Sequence, residues 1–166
     1  MLADLYPWLV FLHVAALLGF LLAHGASSAV AFRIRRERDP VRIAALLDLS
    51  AGVYGLSYAA VGLLVGTGLA TAFIGGYWST GWIWASIVIL VTMTVLMHIH
   101  PAATLSQTRK AAGLPYFEGW RPQEKRPPAS AEEIVAAAAT NNPWITLAIG
   151  GGGLLIILWL MMFKPF

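Results

Sequence analysis

Four histidines, His13, His24, His98 and His100, are the side chains of this 166-residue sequence best suited to chemistry, since an imidazole can ligate a metal, relay a proton or accept a hydrogen bond. All four lie in long stretches without a charged residue. An ionisable group in such a stretch is costly and marks an ion, proton or cofactor site. His13 and His24 are eleven residues apart, so on a helix they share a face about 16 Å apart along the axis. His98 and His100 point about 200° apart and cannot both face one partner. His24 lies about 13 Å from the first cluster of arginines, and His98 and His100 lie about 16 and 13 Å from Arg109, so three imidazoles sit at nearly one depth. If the first and third helices are diagonally opposed in a bundle, the diagonal is about 14 Å, a spacing at which His24 and His98 can sandwich a haem iron. A metal other than haem iron, a proton relay or plain interhelical hydrogen bonding accounts for the same residues. His13 stands apart, either as ligand of a separate open haem or as a satisfied core histidine.

Further polar groups lie near that depth. Tyr54 and Tyr58, with Ser50 and Ser57, run along one side of the second apolar segment, where they could bond a cofactor edge or a quinone; Arg33, Arg35, Arg36 or Arg109 could meet haem propionates. Met93 and Met97 share a face beside His98 and His100, and thioethers suit Cu(I), which makes copper the lesser alternative. Methionine at helical spacing is more often simply core or lipid-facing. Phosphate-cradling glycine loops, a Ser-His-Asp order and paired carboxylates are missing from the sequence, so it does not read as a soluble enzyme.

The elements that must position these groups follow from charge. The chain is 58% apolar and 11% charged, against about 25% charged in soluble domains. Uncharged runs cover 5–32, 49–108 and 134–163. A span needs about 20 apolar residues, so the outer runs hold one each and the middle run two, divided at Gly75-Gly76. The expected fold is all-α: one polytopic membrane domain over 1–166, an up-down bundle of four transmembrane helices at about 5–32, 49–74, 81–105 and 143–163. Asp4 and the lack of an early basic residue argue against a cleaved signal peptide. Ten of the eleven basic residues fall in the two loops on one side, which the positive-inside rule makes the cytoplasm, with both termini outside. The net charge of +3 is therefore a topology signal and no sign of nucleic acid.

Local signals refine the boundaries. Asp39-Pro40 and Asn142-Pro143 are helix starts, and the first places the beginning of the second helix near Val41, ahead of its apolar run. The loop 106–142, with four prolines, reads as flexible, with one short surface helix from Ala131 to Thr140 opened by a Ser130/Glu133 capping box. Small residues, namely Gly62 and Gly66, the Gly19/Ala23/Ser27 series, and Gly150 to Gly153, are placed for close helix packing.

The segments Leu12-His13-Val14-Ala15-Ala16-Leu17-Leu18-Gly19, Arg33-Ile34-Arg35-Arg36-Glu37-Arg38-Asp39-Pro40, Thr67-Gly68-Leu69-Ala70 and Gly81-Trp82 resemble small four-helix bacterial membrane proteins allied to copper-resistance D (CopD) domains and HemJ-type protoporphyrinogen oxidases. The resemblance spans about 5–110. It implies a first-helix histidine associated with haem b, which His13 matches and His24 does not. The expectation is a haem b protein of the bacterial cytoplasmic membrane, passing electrons or oxidising a quinol or porphyrinogen. The rival expectations are copper handling and an accessory subunit of a larger membrane complex or homo-oligomer.

Overall fold

The computed structural model describes residues 2–119 and 121–166. Four helical segments are long and apolar enough to cross a membrane: Asp4–Ile34, Pro40–Ile74, Gly81–Ala111 and Pro143–Phe163, here spans 1 to 4. Only 6% to 28% of the most apolar stretch of each is buried in the molecule. The uncovered side chains, such as Phe11, Leu22, Phe73 and Leu155, need lipid around them. The chain is an all-α, multi-pass membrane protein.

Span 1 is the single helix α1 (Leu2–Ile34). Span 2 is α2 (Pro40–Gly52) and α3 (Tyr54–Ile74), divided at Val53. Asp39 caps α2 by accepting from the Val41 N–H at 2.9 Å, as its place before Pro40 predicts. Span 3 consists of α4 (Gly81–Met97), a π turn at His98–Ala102 and α5 (Ala103–Ala111). Pro101 has no N–H to give an α-helical bond, which accounts for the wider turn there. The proline is absorbed and the helix continues to Ala111. Span 4 is α7 (Pro143–Leu147), a second π turn at Ala148–Gly152 and α8 (Gly153–Phe163), opened by Asn142 accepting from the Trp144 N–H.

Spans 1 and 2 pack antiparallel along their length, with contacts between His13 and Thr67, Gly19 and Ala60, and Ser27 and Ser50. Spans 3 and 4 form a second antiparallel pair, in which Trp82 and Ile83 pack with Leu160, and Met93 with Leu154 and Ile157. The pairs join where α1 meets α7 and where Leu17 and Phe20 of span 1 pack against the Met93 cluster. Spans 1 and 3 are thus diagonal. The Gly62/Gly66 pair takes no part, since nothing lies within 4 Å of where their Cβ atoms would be.

The loop 106–142 is more built than its prolines suggest. Tyr116–Glu118 (β1) and Arg121–Gln123 (β2) form a short antiparallel hairpin, which the sequence does not announce. Helix α6 (Ala131–Ala139) has the capping box, Ser130 and Glu133 bonding reciprocally. It is no bare surface helix: Ile134 and Ala138 are buried against Ile34, Ile43, Leu47 and Leu105. Alanine buries little area itself but lets α6 approach α2 and α5 closely.

Candidate functional site

His24 is the most enclosed of the four histidines, 9% exposed, and among the described residues its Nε2 has no hydrogen-bond partner. Two features place it. Phe20, one turn earlier, stacks on the imidazole with centroids 5.6 Å apart and planes 12° from parallel. Across the interface the ring rests on Gly150, where any Cβ would collide with Nε2 and Cε1. His24 therefore faces span 4, where the missing side chain admits it, instead of pointing across the diagonal to span 3. Ser28, one turn further along span 1, is also buried with an unpartnered hydroxyl. Span 1 thus carries two buried polar atoms without a partner among the described residues, one turn apart, and the first rests on Gly150, where span 4 makes a π turn. Such turns concentrate at functional sites.

Span 3 reaches the same region. The sulfur of Met93, 6% exposed, lies 2.6 Å from the point a Gly153 Cβ would occupy. From that contact His98 is five residues along span 3, about 7.5 Å, and Gly150 is three residues back along span 4, about 4.5 Å, so His24 and His98 differ in depth by only about 3 Å. His98 is half-buried at the opening of its own π turn, whereas His100 is exposed.

His13 lies nearer the Lys164 end of the bundle and is held differently. Its Nδ1 is 2.9 Å from the Leu64 carbonyl and 3.1 Å from the Thr67 hydroxyl. A carbonyl only accepts, so Nδ1 carries the proton and Nε2 keeps its lone pair. That orientation is common to satisfied core histidines and to metal-ligating ones, whose second nitrogen donates to a carbonyl. Gly68 leaves room for the ring, its Cβ position being 3.0 Å from His13 Cε1.

The remaining sequence candidates do not gather here. Tyr58 is 75% exposed and Tyr54 half-buried, and among the described residues neither makes a hydrogen bond. Arg33 pairs with Glu37 at 3.0 Å. Arg109 is spent on structure: its guanidinium donates to the carbonyls of Pro115 (2.6 Å) and Leu47 (2.9 Å) and reaches Asp48 at 3.5 Å. This ties span 3 to span 2 and to the loop.

No family model, curated protein or solved structure gives a significant match to the chain. The site must therefore be judged on its own chemistry. Among the described residues no three histidine, aspartate or glutamate side chains cluster to hold a bare ion. The donors present fit an ion whose other ligands come with it, as a porphyrin supplies four nitrogens to iron. His24 Nε2 is a buried donor without a partner among the described residues, and span 3 places His98 and Met93 on either side of its depth. Phe20 and Gly150 close around the imidazole, so a macrocycle enters only if Phe20 turns off the ring and spans 1 and 4 separate at Gly150. Sequence reasoning identified the histidine and the glycines but not their pairing, because which helix faces which is a tertiary property.

Proposed function

We propose that the chain is a haem b-binding electron-transfer protein of a bacterial cytoplasmic membrane, acting on a small membrane-accessible substrate of the quinol or porphyrinogen class. The observation that carries this reading is the buried, unpartnered Nε2 of His24 beside a side-chain-free stretch of span 4. Leaving such a nitrogen unbonded costs about 1–3 kcal/mol, a cost that ligation removes. His24 would hold the iron from span 1; His98, at nearly the same depth on span 3, would join it only if the His24 ring swings away from Gly150, and His13 is the alternative ligand that the family resemblance favours. The haem, when bound, supplies one-electron redox chemistry. The chain's own residues do the rest: the side-chain-free stretch around Gly150 leaves room beside span 4 once Phe20 turns off the ring, and Leu17, Ile149 and Met93 keep water from the centre. The orientation that goes with this reading puts both termini outside and the His24 level in the inner half of the bilayer.

The test is an absorption spectrum of the detergent-purified chain after haem supplementation. A Soret band is expected, and its absence overturns the proposal. Single replacements assign the ligands: loss of the band with His24→Ala supports the inner site, and loss with His13→Ala alone transfers it to the outer one.

One observation favours a second reading, copper handling. Met93 and His24 rest on Gly153 and Gly150, three residues apart on span 4, which brings a thioether and an imidazole to adjacent turns of one helix. Stoichiometric Cu(I) binding without a Soret band, lost in Met93→Leu, would establish it.

A further inference from the structure

The inner end of span 1 carries a polar feature that the histidine reading leaves unused. Between Ile34 and Pro40 the chain turns sharply, and Glu37 sets the turn. Its carboxylate accepts from the backbone N–H groups of Arg38 at 3.0 Å and Asp39 at 3.4 Å, and from the Arg33 guanidinium at 3.0 Å. With Glu37 drawn inward, its neighbours are turned out. Arg35, Arg36 and Arg38 are exposed, and among the described residues none has a carboxylate partner.

These three arginines line a cavity of about 250 Å³ together with Phe32, Pro143 and Trp144. Phe32 and Trp144 meet edge to face at 5.1 Å, and Trp144 is 63% exposed at the start of span 4. The cavity thus has cations on one side and aromatic edges on the other, at the level where two apolar spans give way to a charged loop. The nearby carboxylates do not neutralise it. Glu37 is engaged as described; Asp39 caps Val41 and pairs with Arg42; Glu132 lines a second cavity, which Arg38 also borders, and makes no ion pair with Arg38.

A guanidinium presents a planar fork that matches phosphate oxygens, and three of them with no anion in the protein call for one from outside. Tryptophan at such a level favours the headgroup region. Beside Trp144, the exposed side chains of Ile145 and Leu147 offer an apolar flank for an acyl chain. We propose that this cavity binds the phosphodiester headgroup of an anionic phospholipid, with Arg35, Arg36 and Arg38 on the phosphate and the Phe32–Trp144 pair against the glycerol and upper chain. Free phosphate shares the headgroup chemistry, but the aromatic pair and apolar flank favour the lipid. The proposal does not depend on haem.

The test is native mass spectrometry of the full chain in non-ionic detergent, with phosphatidylglycerol or phosphatidylcholine of the same acyl composition. Phosphatidylglycerol adducts are expected to dominate. Basic residues near a bilayer surface each contribute about a fivefold effect, so R35Q/R36Q/R38Q should cut those adducts at least about tenfold. R121Q/K125Q/R126Q, which removes equal charge from the loop, should leave them unchanged. Equal losses in both variants reveal general electrostatic attraction and overturn the site, as do adducts that survive in the first. Inorganic phosphate that binds the delipidated chain and displaces phosphatidylglycerol at millimolar concentration overturns the lipid assignment. A melting curve checks each fold, and the single variants R35Q, R36Q and R38Q, each expected to lose about fivefold, decide the matter if the triple variant does not fold.

Discussion

A methyl group is enough to probe the contact at the centre of the proposed site. In Gly150→Ala the added Cβ meets the His24 ring, and neither the ring, held by Phe20, nor the span 4 backbone can give way freely. Overpacking of this kind costs about 1–3 kcal/mol, so a clear fall in melting temperature in detergent is expected, whereas Gly62→Ala, with open space around it, should leave it nearly unchanged. The two histidines of span 1 should respond oppositely to apolar replacement. His24→Leu removes a buried nitrogen that lacks a partner and should leave the apo-protein equally or more stable while abolishing any Soret band. His13→Leu breaks the bonds to Leu64 and Thr67 and should cost about 1 kcal/mol. A melting-temperature loss in His24→Leu equal to that in His13→Leu would show that His24 is bonded after all. At this scale the sequence reveals depth well, because depth is a count of residues at fixed rise. It does not reveal direction: His24 turns to Gly150 because that position has no side chain, and the relative rotation of two helices is not written in either.

At the scale of elements, capping chemistry was legible and long-range docking was not. Asp39, Ser130 and Asn142 start their helices as their local patterns predict, since a cap is satisfied within three residues. The hairpin at 116–123 and the burial of α6 depend on distant partners. The Ser106 hydroxyl holds Phe117 by bonding both its N–H and its carbonyl, and Asn141 donates to Thr108. The turn between spans 1 and 2 yields a pH prediction. The Arg38 N–H, opposed by partial desolvation but aided by the Asp39 N–H and the charges of Arg33 and Arg42, holds the Glu37 carboxyl below the usual carboxylate range. A carboxylate depressed in the folded state stabilises it above the unfolded value, about 4.3, and this contribution disappears as pH falls through the lower folded value. Glu37→Gln should therefore melt below wild type at pH 7, and the gap should close below about pH 4. A gap that stays constant across that range would mean that Glu37 acts by shape and not by charge.

For the whole molecule, the two ends of the bundle are chemically unlike, and that difference predicts an orientation. The end bearing both termini has one basic residue, Lys164, whose ammonium sits over the rings of Tyr77 at 4.7 Å and Trp82 at 5.7 Å, with Tyr6 bonded to Tyr77 and the Trp82 N–H to the Phe166 carbonyl. This is an aromatic, nearly neutral cap. The other end carries ten basic residues, the Arg35–Arg36–Arg38 fan among them, and the core of Ile34, Ile43, Leu47 and Ile134 that welds the loop to the helices. Translocating ten cations is opposed at insertion, so that end should remain cytoplasmic. The chain has no cysteine, which makes the prediction direct to check. A membrane-impermeant maleimide added to intact spheroplasts should label S79C, in the turn between spans 2 and 3, and should reach K125C only after permeabilisation. The reverse pattern would put the basic cavity in the outer leaflet, where an anionic headgroup is scarcer, and would move His24 to the outer half of the bilayer; both proposed sites would then have to be assigned to outward-facing partners.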